Sequence, residues 1–250
     1  MSAQTITEVI QQLEDVITET KKEENPLGYF AALYHNVTVT VKDKLNTGYF
    51  DDDKRMERLD VLFANRYLKA YHDYKKGNPI TQSWLNAFTA AKNKNFIVLQ
   101  HLLLGMNAHI NLDLGIAAAE ISTKENISNL EGDFNKINEL LSSLVVEIQE
   151  DLSTIWPTLL KLLKLAKKAD DFAIDFSMKL ARNGAWKFAN ILVGKKGTVK
   201  DDIIKERDQE IAAFSKKITR YGVLLKVVFF IIRIGERGKN SNKIKALERV

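Results

Sequence analysis

The stretch Gln100 to Glu120, QHLLLGMNAHINLDLGIAAAE, constrains the fold more than any other part of the chain. Wound at about 100° per residue, it puts apolar groups in nearly every direction: Leu102, Leu104, Met106, Ile110, Leu112, Leu114 and Ile116. A helix that is apolar all round is enclosed by protein. The polar residues set into it are therefore not a solvated face, and each left without a partner would cost about 1–3 kcal/mol.

Those residues fall into three sectors. His109, Asp113 and Glu120 lie within roughly 40° of one another on an ideal helix and are expected to face one site. Gln100, Asn107 and Asn111 form a second cluster. His101, Gly105, Ala108, Gly115 and Ala119 form a mostly small stripe that a neighbouring backbone could approach closely. Histidine and aspartate four residues apart can jointly hold a divalent metal, or form a carboxylate-oriented imidazole that works as a general base. The plainer alternative is a satisfied buried pair that fixes helix register.

The rest of the chain reads as helices arranged around this one. Ile6, Val9, Ile10, Leu13, Val16 and Ile17 recur at helical spacing behind a Thr5/Glu8 capping box. Asn25-Pro26 opens a helix through Phe30, Tyr34, Val37, Val41 and Leu45, in which VTVTV is taken as helical because the period continues on both sides. A helix from about Asp53 to Tyr74 would bury Leu59, Leu62, Phe63, Tyr67 and Ala70. Trp84, Leu85 and Phe88 mark a short helix, and 128–156 and 171–193 carry further stripes. Thr198 with Asp201 is expected to cap another helix, and VLLKVVFFIIRI is expected to be a core helix, well below the ~18 uninterrupted apolar residues of a membrane span. The architecture expected is all-α: one domain over 1–235, a bundle of about seven to nine helices around a buried central helix, and a frayed basic tail over 236–250.

Composition narrows the chemistry. No cysteine is present, which removes disulfides and thiolate ligands and fits a reducing, cytoplasmic setting. Glu8, Glu14 and Asp15 run through what would have to be the apolar part of an export signal, so the N-terminus reads as a structural helix. Of the net charge of +5, +4 falls between Arg233 and Val250, and a nearly neutral body is a poor match to nucleic acid. A lipid surface could be met peripherally by the basic amphipathic stretch Thr158 to Lys168. Zincin, P-loop, dinucleotide-fold, α/β-hydrolase and ferritin-like di-iron signatures are missing from the sequence.

Further polar residues could join His109 and Asp113. Arg66, near the Leu62/Phe63 side of its helix, could reach a carboxylate or an anionic ligand. Asn65, Asp60, Tyr67 and His35 are candidate ligand-binding residues beside His101, Asn107 and Asn111. Two functions follow. One is an enzyme acting on a small lipophilic molecule, with His109, Asp113 and Arg66 catalytic and His109 and Asp113 as ligands if a divalent metal is used. The other is a non-catalytic helical module for an apolar ligand or a partner protein, with structural polar residues.

GYFAALYHNVT, MERLDVLFANRYLKAY, VLQHLLLGMNAHINLDLGIAAAE, IWPTL and DFSMKLARNGAW together resemble a bacterial family of unknown function, over roughly Pro26 to Ala189. The resemblance implies one domain and no established activity. Its recurring segments contain Asn65, Arg66, Tyr67, His101, Asn107, His109, Asn111 and Asp113.

Overall fold

The computed structural model describes residues 2–137, 139–140, 178–220, 223–236 and 238–248. Its elements are α1 (Ile6–Lys22), α2 (Gly28–Lys44), α3 (Asp53–Lys76), α4 (Gln82–Thr89), α5 (Val98–Glu120), α6 (Met178–Leu192), α7 (Gly197–Thr219), α8 (Val223–Gly235) and α9 (Asn240–Leu247). Residues 131–137 are also helical. The fold is all-α, and among the described residues no strand occurs. Among the described residues, and besides 131–137, counting the two α-helical halves of α5 separately gives ten helices, slightly more than expected.

Local chemistry sets the boundaries. Thr5 Oγ1 accepts from Glu8 N at 3.2 Å, and the Glu8 carboxylate returns the bond to Gln4 N at 2.7 Å, so α1 begins on a reciprocal cap. Asp52 caps α3 by accepting from Arg55 N at 3.0 Å, and Gly77 ends that helix at φ 76°, a conformation that favours glycine. The β-branched run in α2 is helical because Val37, Thr38 and Val41 are buried there and packing outweighs propensity. The Thr198/Asp201 cap does not form. Instead α7 starts at Gly197, after Lys196, without a side-chain cap.

α5 runs through the middle, and α2, α3, α4, α6 and α7 all pack against it. The small stripe on α5 allows this: a Cβ on Gly105 would lie 2.5 Å from the Phe30 ring, and one on Gly115 would lie 2.8 Å from Ala185 O of α6. α1 covers α2 and α3.

Two expectations near the C-terminus are corrected. α9 packs on α1 and α2 with Ile244 and Leu247 buried, and Lys21 pairs with Glu248 at 2.8 Å, so this part of the tail is docked instead of frayed. The apolar spacing of Ile244 and Leu247 outweighs the charge around them. α8 is only half a core helix. Val228, Phe229 and Ile232 are buried, while Val227, Phe230, Ile231 and Ile234 are exposed. Residues 141–177, including the basic stretch Thr158 to Lys168, lie outside the described residues.

Candidate functional site around His109

Residues His109–Asp113 of α5 form a single π-helical turn. Such turns are rare, are often found at functional sites, and leave the helix carbonyls poorly paired. Here Arg207 Nε of α7 donates to the Asn111 carbonyl at 3.3 Å. The wider turn keeps His109 and Asp113 side by side but rotates everything after it by roughly a quarter turn relative to an ideal α-helix. Glu120 is thereby turned away from His109, exposed and paired with Lys200 at 2.8 Å, while it still lines, with Asp113, a cleft between α3, α4 and α7.

Asp113 is 1% exposed and saturated with donors. Arg66 Nε donates to Oδ1 at 2.7 Å, Trp84 Nε1 donates to Oδ2 at 2.8 Å, and His109 Nδ1 lies 3.2 Å from Oδ2. Burial alone would raise its carboxyl, but the Arg66 charge and the bonds from His109 and Trp84 outweigh burial and hold it below its ordinary value. Burial lowers the His109 imidazole, the bond to Asp113 opposes that, and the Arg66 charge reinforces it. The pair is thus a carboxylate and a neutral imidazole. Because an ionised carboxylate only accepts, the ring proton sits on Nδ1 and Nε2 keeps its lone pair.

Five aromatic side chains box the imidazole. Phe63 lies flat on it, 3.6 Å centre to centre and 6° from parallel, and Tyr34 meets it edge-on at 4.5 Å. Phe30, Trp84 and Tyr67 complete the box at 5.6, 5.9 and 6.1 Å. Four buried atoms here have no protein hydrogen-bond partner: His109 Nε2, Tyr34 Oη, Tyr67 Oη and Asp60 Oδ2. The Thr38 hydroxyl beside Tyr34 donates to the Tyr34 carbonyl instead, at 3.0 Å. Burial, reinforced by Glu57, pushes the Asp60 carboxyl up to about 7, and burial raises both tyrosine hydroxyls.

One wall of this box is the floor of an open cleft. The cleft has a volume of about 1050 Å³ and lies between α3, α4, the C-terminal end of α5 and α7, with Arg66, Trp84 and Asp113 among its lining residues. Asp208 of α7 also lines it, with its carboxylate accepting from Gln82 N and Ser83 N at 2.6 and 2.9 Å to cap α4.

The structure thus brings together His109, Asp113, Arg66, Asp60 and Tyr67, with Asn65 and Glu120 further along the lining of the cleft, and it gives the other expected residues different contacts. Asn107 donates to Ile211 O at 3.0 Å and Ser215 Oγ at 3.2 Å, Asn111 donates to Asn107 Oδ1 at 3.0 Å, and Gln100 donates to Ile218 O at 3.1 Å. Gln100 and Asn107 thus bind α5 to α7, and Asn111 braces Asn107 from within α5. Asn65 holds the N-terminal strand of chain by exchanging two 2.8 Å bonds with Ala3. His35 faces Glu14 at 3.5 Å between α2 and α1, and His101 lies between Tyr29 and Phe96.

Tyr34, Trp84, Phe30 and Phe63 were not expected at a site. Their positions within apolar stripes concealed them, and the one available signal was the indole N–H of Trp84, which once buried must find an acceptor.

The divalent metal fits poorly. Both Asp113 oxygens already accept from donors, the Arg66 charge stands beside them, and among the described residues no three His, Asp or Glu side chains are grouped to hold an ion.

A family described as of unknown function (DUF5995) matches residues 6–221, and the chain belongs to it. No curated protein and no solved structure matches the chain.

Proposed function

We propose that the protein takes a small, largely apolar molecule through the cleft and exchanges a proton with it at His109, without a metal. The observation that carries this reading is the His109 Nε2 lone pair, which is buried, oriented through Nδ1 by Asp113, and given no partner by the protein. Asp113 holds the tautomer and would stabilise an imidazolium, while Arg66 keeps Asp113 ionised so that it does not take the proton itself. The aromatic walls suit an apolar body. The hydroxyls of Tyr34 and Tyr67 and the Asp60 carboxyl could bind its polar end. Entry requires the Trp84 indole to yield, because Trp84 and Asp113 stand between cleft and imidazole.

A screen of small aromatic and aliphatic alcohols, ketones and acids by ligand-observed NMR tests this, with the imidazole signals of the four histidines followed on the protein side. Hits should shift the His109 signal and lose affinity about tenfold or more in His109→Gln and Tyr34→Phe, in line with the loss of a buried polar contact. Binders that leave His109 unmoved, or that bind His109→Gln equally well, would refute it. So would stoichiometric zinc, iron or manganese in untagged protein that is lost in His109→Ala.

The second reading, a non-catalytic module, is favoured by one observation: the amides of Gln100, Asn107 and Asn111 all serve contacts within the protein. If it extends to His109, then His109→Phe folds normally and no screened compound binds.

A further inference from the structure

The sequence of α8, VLLKVVFFIIRIG, is apolar on both sides, and among the described residues from Lys226 onward only one of them is covered. Val228, Phe229 and Ile232 are buried. Val227, Phe230 and Ile231 are 51%, 62% and 42% exposed, with Ile234 beside them at 48%. At about 100° per residue these four fall within an arc of roughly 100°, opposite the buried three. Single exposed apolar residues are ordinary, but a stripe of four along one helix is a surface.

The charge around the stripe is one-sided. α8 contains no acidic residue, and Lys226 and Arg233 are exposed along one flank of the stripe. Among the described residues that follow α8, the acids are already engaged: Glu236 accepts from Val98 N at 3.0 Å at the start of α5, and Glu248 pairs with Lys21. Lys239 and Lys245 are exposed as well.

We infer that α8 docks the protein on an anionic lipid surface, lying in the plane of the interface with Val227, Phe230 and Ile231 inserted and Lys226 and Arg233 against the headgroups. A second copy of this chain is a poorer occupant. A 13-residue helix spans about 20 Å, so the stripe offers on the order of 200 Å², against roughly 800 Å² per partner in a stable interface. Pairing two stripes would also bring like-charged flanks together. A bilayer requires no matching surface, since interfacial binding grows with each buried apolar group and each cation near anionic lipid. At this length the helix cannot span.

Flotation of the full chain with vesicles of phosphatidylcholine alone, and of phosphatidylcholine mixed with phosphatidylglycerol, tests the inference. The protein should float with the anionic vesicles, less so as salt rises, and weakly with the neutral ones. Phe230→Ser/Ile231→Ser should lower binding about tenfold or more, and Lys226→Glu several-fold. All three side chains are exposed, so circular dichroism and thermal melts should match the parent, and Lys226→Glu tests the inference even if the double variant misfolds. Failure of the parent to float with anionic vesicles would overturn the inference, as would equal flotation of both folded variants. A parent that runs as a dimer, splits on Phe230→Ser/Ile231→Ser and ignores lipid would assign the stripe to self-association and overturn it too.

Discussion

The Arg66 guanidinium meets the Asp113 carboxylate at 2.7 Å across 47 residues of chain, joining α3 to the π turn of α5. The contact is buried on the Asp113 side, where the carboxylate is 1% exposed, and partly open on the Arg66 side, at 27%. Removing one member of such a pair leaves the other without compensation, which is far worse than never having built it.

Asp113→Asn should therefore destabilise the fold by about 3 kcal/mol, measured by urea unfolding, because Arg66, Trp84 and His109 all lose a charged acceptor. Arg66→Met leaves the buried carboxylate facing only His109 and Trp84. Its folded pKa then rises, and stability that the parent retains as pH falls should be lost at higher pH in this variant. Equal acid sensitivity of parent and Arg66→Met would mean that Arg66 does not keep Asp113 ionised.

Asn107→Ala removes two bonds to α7, to Ile211 O and Ser215 Oγ, and takes the acceptor from Asn111 Nδ2. A loss of about 1–3 kcal/mol is expected, with unchanged affinity for any compound that reaches His109. A drop in affinity without a drop in stability would move Asn107 from scaffold to site.

How much of this was legible depended on the element. α5 was, because a helix apolar all round can only be central, and its two glycines announced close crossings, with α2 at Gly105 and with α6 at Gly115. The π turn was not. Where apolar residues occupy every direction, a quarter-turn slip leaves no trace in the pattern, and that slip separates Glu120 from His109. The inward reach of Arg66 followed from its face of α3, whereas the turn of Asn65 toward Ala3 depends on where the N-terminus lies, which no local period encodes. α8 misled because both its faces are apolar, and composition cannot say which one is covered.

Gly115→Ala tests the crossing of α5 against the α6 backbone. The new methyl would sit 2.8 Å from Ala185 O and 2.7 Å from the Phe188 ring, and the carbonyl belongs to backbone that cannot turn aside. Overpacking of this kind should cost about 1–3 kcal/mol, visible as a lowered thermal midpoint. Gly105→Ala meets the Phe30 side chain, including Cγ and Cβ that ring rotation does not move, so it should also be destabilising, with the rearrangement reported by His109 in the same aromatic box.

Asp60 offers the sharpest pH test, because its sign opposes that of the histidines. Its folded value near 7 lies above the ordinary 3.8, so it stabilises the fold fully below about 4 and loses that contribution as pH rises through 7. Glu236, pushed up to about 7 chiefly by burial, acts in the same direction. His101 is lowered to about 4, by burial and then by Lys243, so its contribution is full above about 6.5 and is lost as pH falls toward 4, and His109 follows it in sign. These opposed slopes should leave the parent's stability nearly level between pH 4 and 7. Asp60→Asn removes part of one side of the balance and leaves Glu236 on it. Its stability should rise with pH over that window and exceed the parent's at pH 8, by up to roughly 4 kcal/mol if the full displacement from 3.8 is realised. Urea midpoints across pH 4–8 measure it. A variant that is more stable yet loses every compound binding at His109 would identify Asp60 as a carboxyl kept at a cost to the fold for the sake of the site, whereas a variant less stable at every pH would make it a structural group.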